Sequence, residues 1–479
     1  MMILVTILCY FAVLLLIARI TGRKGGSNAA FFKGENQSPW YIVSFGMIGA
    51  SISGVTFVSV PGMVRGMDMT YMQTVLGFFF GYMAVAHILL PLYYKLNLTS
   101  IYGYLGTRIG MRAYRTGSFF FLLSRMLGTA AKLYLVCLIL HTYVFQEMHV
   151  PFWLIAVGSV ALVWIYTHKS GIKTIVWTDT LQTFCLIAAL IFIIYFTIQR
   201  LDLNFSGIVQ TIQNSEHSRI FVFDDWVSRQ NFFKQFFSGI FIVIVMTGLD
   251  QDMMQRNLSC ASPRDSQKNI VLTALSQMVV IYLFLMLGVF LYLYMDANAL
   301  SMPEKSDQVF SLVAVGGGLP AAVGILFVVG LISSTYSAAG SALTALTTSF
   351  TVDILQGTRR YGDERLTRIR KGVHVGMAVG MALVILGFEY LADDSVINLV
   401  YKVASYTYGP ILGMFAFGMF TRCRVRDRWV PFAAVAAPLL SASLQYAVRV
   451  WWSYHIGFEL LIYNALFTML GMLLLVRKK

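Results

Sequence analysis

Residues 40–63 read Trp40-Tyr-Ile-Val-Ser44-Phe-Gly46-Met-Ile-Gly49-Ala50-Ser51-Ile52-Ser53-Gly54-Val55-Thr56-Phe57-Val58-Ser59-Val60-Pro61-Gly62-Met63. The stretch carries no charge and has the length of a membrane crossing, which takes about 20 mostly apolar residues. Small and hydroxyl residues crowd its middle, and Ser53-Gly54-Val55-Thr56 is a poor helix centre. Two readings follow. One is a closely packed helix, because small residues let membrane helices approach. The other is a broken helix whose freed carbonyls coordinate a cation or solute at mid-membrane, where irregular backbone survives only beside a cavity.

The rest of the chain places this stretch among many like it. Of 479 residues, 58% are hydrophobic, 14% aromatic and 12% charged, with a mean hydropathy of +0.71. Ordinary soluble domains are about 45–50% apolar and about a quarter charged. The composition excludes soluble enzymes, disordered chains and nucleic-acid binders. The net charge of +14 is interspersed with apolar runs, which suits loops beside an anionic membrane face and not a nucleic acid. Thirteen stretches, from 2–19 to 456–476, are expected to span. The first has no basic region ahead of it and no small-residue cleavage site, so it reads as a span and not as a cleaved leader. With the N-terminus outside, only Arg65, Arg200, Arg219, Arg229, Lys234, Lys305 and Arg449 of the 36 basic residues fall outside. Arg125, Lys132 and Lys402 lie within spans, and all others, from Arg19 and Lys24 to Lys169 and Lys479, fall inside. That asymmetry predicts N-out and C-in. The longer loops, 200–230 and 350–371, leave no room for an appended signalling module, which disfavours a receptor. Cys9, Cys137, Cys185, Cys260 and Cys423 have no paired spacing and no partner histidines, so neither disulfides nor a zinc site is expected.

Polar residues at membrane depth mark the candidate site. Gly330, Ser333, Ser334 and Ser337 share one face of span 320–349 at three- and four-residue spacing. Each serine alone fits back-bonding to its own helix, but three with Gly330 on one face suit a hard cation such as Na⁺, which takes about five oxygens, by analogy with other hard ions. Asp179, in a span, defaults to a functional group with a cation or Lys partner. Asp250 and Asp252 sit nearer the interface, beside Arg256. Arg125 and Lys132, two turns apart, require water, acids or an anionic ligand, and His141 reads as packing.

With these residues in hand, the sequence resembles the sodium:solute symporter family, whose bacterial members carry galactose, proline or sialate. The motifs are Gly49-Ala-Ser-Ile-Ser-Gly-Val-Thr-Phe57 with Pro61-Gly62, Val176-Trp-Thr-Asp-Thr-Leu-Gln182, Gly248-Leu-Asp-Gln-Asp-Met-Met-Gln-Arg256, Leu331-Ile-Ser-Ser-Thr-Tyr-Ser337 with Phe350-Thr-Val-Asp353, and Gly409-Pro410 before Phe417-Gly-Met-Phe420. Their order and spacing cover essentially the whole chain. The resemblance implies an all-α membrane protein with a LeuT-like core of two inverted five-helix repeats, 40–200 and 231–421. A peripheral first helix and inside loop would occupy 1–39, an external loop 201–230, and two peripheral helices 422–479. It implies alternating access with Na⁺ as coupling ion, no other cofactor, no enzymatic step and no nucleic-acid partner. The setting would be a multi-pass protein of the bacterial cytoplasmic membrane, with Na⁺, a small solute and lipid as partners. Each Na⁺ descending 100 mV yields about 2.3 kcal/mol, roughly a fiftyfold solute gradient.

The resemblance also assigns residues. A shared sodium site falls on the carbonyls of Gly49, Ile52 and Gly330 and the hydroxyls of Ser333 and Ser334. A second, used by some members, falls on Asp179, Ser333, Ser337 and the carbonyl of Tyr336, where those members carry a serine. The solute pocket would be built from Ser51, Ser53, Thr56, Tyr71, Gln73, Arg125, Met246 and Gln277. Gln277 stands where the sugar carriers have a lysine, and Thr74-Val75 replaces their aromatic–acid pair. Ser53 and Thr56 match the sialate carriers. Their carboxylate-binding arginine aligns with Gly128, one turn after Arg125. A guanidinium fork suits a carboxylate, so an organic acid is the leading solute class and a neutral sugar or polyol the alternative. A membrane-embedded sensor or a channel without coupled turnover is the alternative of another class.

Overall fold

A computed structural model of the chain describes residues 2–22, 27–33, 38–98, 100–168, 171–391, 396–452, 454 and 456–477. Arg23, Lys24, Lys169, Lys478 and Lys479, counted inside above, lie outside the described residues. Among the described residues every named element is helical, and the β contacts are two isolated bridges, Ser38–Cys260 and Val425–Val476.

The principal helices are α1 (Met2–Gly22), α2 (Trp40–Ser51), α3 (Gly54–Met67), α4 (Tyr71–Ala84), α5 (Met111–Tyr143), α6 (Phe152–Thr167), α7 (Ile172–Arg200), α8 (Phe232–Val243), α9 (Gln251–Asn257), α10 (Pro263–Ala297), α11 (Ala321–Ser349), α12 (Asp363–Leu391), α13 (Val396–Phe420), α14 (Val430–Trp452) and α15 (Leu460–Leu474). Seven helices among the described residues are long and apolar enough to cross a membrane, and two bent pairs meet the same test as single broken spans. α6, α15 and the stretch Val5–Ile20 of α1 are shorter apolar helices. The thirteen expected stretches each coincide with one of these helices or broken pairs or with α13.

Both breaks have local causes. α2 stops where the Ser51-Ile52-Ser53-Gly54 run begins. Ile52 turns out of the helix (φ −89°, ψ 82°), Ser53 is extended (φ −74°, ψ 168°), and α3 starts afresh with a 53° bend. A helix end leaves its last carbonyls unpaired. Here Gly49, Ala50, Ser51 and Ile52 receive no N–H from four residues on. The second break was not read from the sequence. α8 widens into a π-helical turn over Ile244–Gly248, stops at Leu249, and restarts as α9 with a 68° bend. Asp250 caps the new start, its carboxylate accepting from Met253 N at 3.1 Å. A short acceptor that also complements the helix dipole is a favoured first residue.

The core lies around α11, which is buried along almost all of Val323–Ser349. α2, α3, α6, α7 and α5 pack on it, and α1 joins them through Tyr10, Phe11 and Leu14. α12 and α14 expose Val379, Leu383, Leu439 and Trp451 on the opposite, outward surface.

Candidate ion and solute site

The α2–α3 break is clasped between α7 and α11, and glycines set the approach. A Cβ on Gly46 would stand 3.1 Å from Asp179 Cβ, and one on Gly49 would overlap the Thr183 hydroxyl, both on α7. A Cβ on Gly54 would overlap the Thr335 hydroxyl of α11, and one on Gly330 would stand 2.7 Å from the Phe57 ring of α3. The break, with Gly49 and Ile52, thus meets the same turn of α11 that carries Gly330, Ser333 and Ser334.

Among the described residues, Ser51 Oγ, Thr183 Oγ1, Ser333 Oγ, Thr335 Oγ1 and both side-chain polar atoms of Gln182 at this crossing are buried without a hydrogen-bond partner. The hydroxyl of Tyr10 on α1 is equally unpartnered and lies beside Ser333 and Gln182. Ser334 donates to Leu331 O at 3.0 Å, which leaves its oxygen lone pairs free. An unsatisfied buried polar group costs about 1–3 kcal/mol, and native interiors hold few of them. So many in one place, next to freed carbonyls, form a nest of hard oxygen donors that suits an alkali cation.

One turn further along α7 and α11 stands a buried charge network. Ser337 Oγ donates to Asp179 Oδ1 at 2.6 Å, and Arg256 Nη1 stands 3.3 Å from Asp179 Oδ2. Arg256 Nε lies 3.6 Å from Asp252 Oδ1, and Ser341 donates to Asp252 Oδ2 at 3.1 Å. Arg125 reaches across from α5, with Nη2 on Asp252 and Nη1 3.6 Å from Asp250 Oδ2. Tyr408 on α13 donates to Asp250. Lys132 stands two turns from Arg125 on the same helix. The backbone carbonyl of Tyr336 accepts from Tyr166 OH at 2.5 Å, while its ring packs edge-on against Phe11, 4.9 Å between centroids.

The expected solute residues fall into two groups. Tyr82 on α4 donates to Gln277 Oε1 at 2.7 Å and lies beside Ser51 and Thr247. Tyr71 meets Tyr401 hydroxyl to hydroxyl at 2.6 Å, and Tyr401 packs against Phe458, 4.6 Å between centroids. Tyr71 and Phe458 also line a cavity of about 490 Å³ with Ser59, Met63, Tyr292 and Glu304, at the end of the bundle covered by residues 219–231. Ser53 is buried, and Thr56 and Met246 are half-buried. Arg125 and Gln73 stand elsewhere. The terminal nitrogens of Arg125 are taken up by Asp250 and Asp252, because the unread second break turns those carboxylates toward α5. Gln73 is tied to the covering loop, donating to Gln230 O at 2.8 Å and accepting from Val222 N at 3.0 Å. Residues missed in the sequence are Tyr10, Thr183, Thr335, Tyr82 and Tyr401. Only Thr183 carried a signal, standing four residues after Asp179 on the same helix face.

The site thus joins a broken apolar helix, with its freed carbonyls, to a serine-bearing neighbour within an all-helical bundle. The chain belongs to the sodium:solute symporter family, whose model matches residues 31–426, a family of carriers and not of enzymes. The chain is 25% identical to the sodium-dependent multivitamin transporter of Oryctolagus cuniculus over 80% of its own length and 60% of that protein's. It is 24% identical to the sodium/iodide cotransporter of Homo sapiens (86% and 65%), and 24% identical to the sodium/sialic acid symporter NanT of Aliivibrio fischeri (87% and 83%). The chain therefore spans under two thirds of the first two. Among solved structures, a Na⁺-coupled sialic acid symporter in its substrate-bound outward-open state superposes with a TM-score of 0.84, at 19% identity, over 100% of this chain and 99% of that one. Mhp1, a nucleobase-cation-symport-1 transporter, gives 0.55 at 14% identity over 94% of each chain. These likenesses define the fold.

Proposed function

We propose that the protein is a sodium-coupled symporter of a small organic acid, working by alternating access in the bacterial cytoplasmic membrane. One observation carries the sodium reading: hydroxyls on α7 and α11 that lack partners among the described residues stand against the α2–α3 break, Thr183 at Gly49 and Thr335 at Gly54, where carbonyls are freed. Gly49, Ile52, Gly330, Ser333 and Ser334 are the proposed ligands. The ion would bridge two helices that part when the site opens to the inside, and sodium and solute would then raise each other's affinity reciprocally. Thirteen spans with N-out and C-in topology, and repeats at 40–200 and 231–421 flanked by 1–39, 201–230 and 422–479, complete this reading. Each repeat opens on one of the two bent pairs, in keeping with that division.

The solute would sit beside Ser51, Tyr82, Thr247 and Gln277, with Ser53, Thr56 and Met246 adjoining. Tyr71 and Tyr401 would separate this pocket from the 490 Å³ cavity as an outer gate. The relatives carrying sialic acid and monocarboxylates favour an acid. Its carboxylate would be met by hydroxyl and amide donors, since Arg125 is engaged in the charge network. The same neutral lining favours the second reading, a sugar or polyol.

The test is uptake into proteoliposomes under an inward Na⁺ gradient, with labelled N-acetylneuraminate, pyruvate, galactose and inositol as probes. The expected result is accumulation of an acid above equilibrium in Na⁺ and not in K⁺. Equilibration without accumulation would mark a channel and sink the symport reading.

A further inference from the structure

We infer that this chain binds a single sodium ion per cycle, because the buried guanidinium of Arg256 already supplies beside Asp179 the positive charge that a second ion there would bring. The inference rests on the shared sodium site proposed above. Asp179, the anchor of the second seat, is engaged on both of its oxygens. Asp179 Oδ1 accepts from Ser337 at 2.6 Å, and its Oδ2 faces Arg256 Nη1 at 3.3 Å. The Tyr336 carbonyl accepts from Tyr166 at 2.5 Å. The Tyr336 side chain, standing where a third hydroxyl ligand would be expected, turns away to pack on Phe11. Ser333 alone remains unpartnered, and it belongs to the first seat.

Arg256 behaves here as a cation and not as a hydrogen-bond fork. It is 1% exposed, none of its side-chain nitrogens makes a hydrogen bond among the described residues, and it stands between Asp179 and Asp252 at ion-pair distances of 3.3 and 3.6 Å. Its charge already answers that of Asp179, so a Na⁺ drawn to the same carboxylate would meet a buried cation at ion-pair distance and be repelled by it. At the shared seat the donors are neutral carbonyls and hydroxyls with no resident cation among the described residues, so one Na⁺ enters there unopposed.

The experiment is a count of ²²Na⁺ bound at saturation by the purified full chain in lipid nanodiscs, with choline as the replacing cation. The wild type is expected to bind one ion per chain, and Arg256→Gln two, since removing the guanidinium frees the Asp179 carboxylate. Arg256→Lys keeps a cation beside Asp179 and is expected to stay at one, which covers the case where the glutamine variant does not fold. Two ions on the wild type or on Arg256→Lys, or one on a folded Arg256→Gln, overturns the inference. No saturable sodium on the wild type instead overturns the sodium-site reading beneath it.

Discussion

Ser333 is the residue at which the two halves of the proposal can be separated. Its hydroxyl is fully buried and makes no hydrogen bond among the described residues, so the empty protein carries it at a cost. A sodium ligand repays that cost only when the ion is bound. Ser333→Ala is therefore expected to leave the melting temperature in KCl unchanged or slightly higher, while abolishing most of the stabilisation by NaCl. Loss of one of about five ligands should weaken Na⁺ affinity at least about tenfold, or about 1.4 kcal/mol. Thermal unfolding in the two salts checks both signs. A variant that loses stability equally in KCl and NaCl would make Ser333 a packing residue. The serine's importance was legible in the sequence, because three serines and a glycine on one face of an apolar helix have no place against lipid. The partners of Arg125 were not. They depend on where Asp250 and Asp252 point, and that is fixed by a π turn and a helix cap three dimensions away from any spacing rule.

Among elements, the interrupted α2–α3 span does most to make the site, and Gly54 holds its restart. Its missing side chain lets the first turn of α3 lie on α11, where a Cβ would overlap the Thr335 hydroxyl and stand 3.2 Å from Leu331 Cδ1. Alanine also favours helix over glycine by about 1 kcal/mol, which would help the two halves fuse. Gly54→Ala is thus expected to weaken sodium binding severalfold or more, read as a right-shifted NaCl dependence of thermal stabilisation. Steric and helix-continuity causes are distinguishable. If the clash dominates, Gly54→Ala with Thr335→Ala restores the affinity of Thr335→Ala alone; if fusion of the helix dominates, the double variant stays impaired. An unaltered sodium dependence in Gly54→Ala itself would remove the break from the ion site. The first break could be read from Ser51-Ile52-Ser53-Gly54, since hydroxyls and glycine compete with helical bonding. The second was hidden, because Ile244-Val-Met-Thr-Gly248 is apolar and helical in character until Leu249. Only the cap at Asp250 records the change of direction, and that aspartate reads equally well as an interfacial charge.

At the scale of the whole molecule, orientation follows from arithmetic over loops. Each loop's basic residues count toward one side, so inserting or deleting one span would reassign every later loop. Among the described residues seven helices and two bent pairs are long and apolar enough to cross a membrane, yet helices alone say nothing about which face is inside. A chemical label does. Cys423 is exposed in the segment between α13 and α14, amid Arg422, Arg424, Arg426 and Arg428, while Val227 is 71% exposed in the segment ahead of α8. N-out topology puts these on opposite sides of the bilayer. A variant retaining only Cys423 is expected to resist a membrane-impermeant maleimide on intact cells and to react in inside-out vesicles. Val227→Cys in a background without the native cysteines should do the reverse. Cys9 is exposed midway along apolar α1 and should stay unlabelled by the polar reagent from either side. Labelling of Cys423 from outside would invert the whole assignment. It would place the basic-rich loops on the outer face, against the lipid field that normally retains them. The Tyr71–Tyr401 pair would then face the cytoplasm, and sodium would have to enter past Arg125 and Asp252.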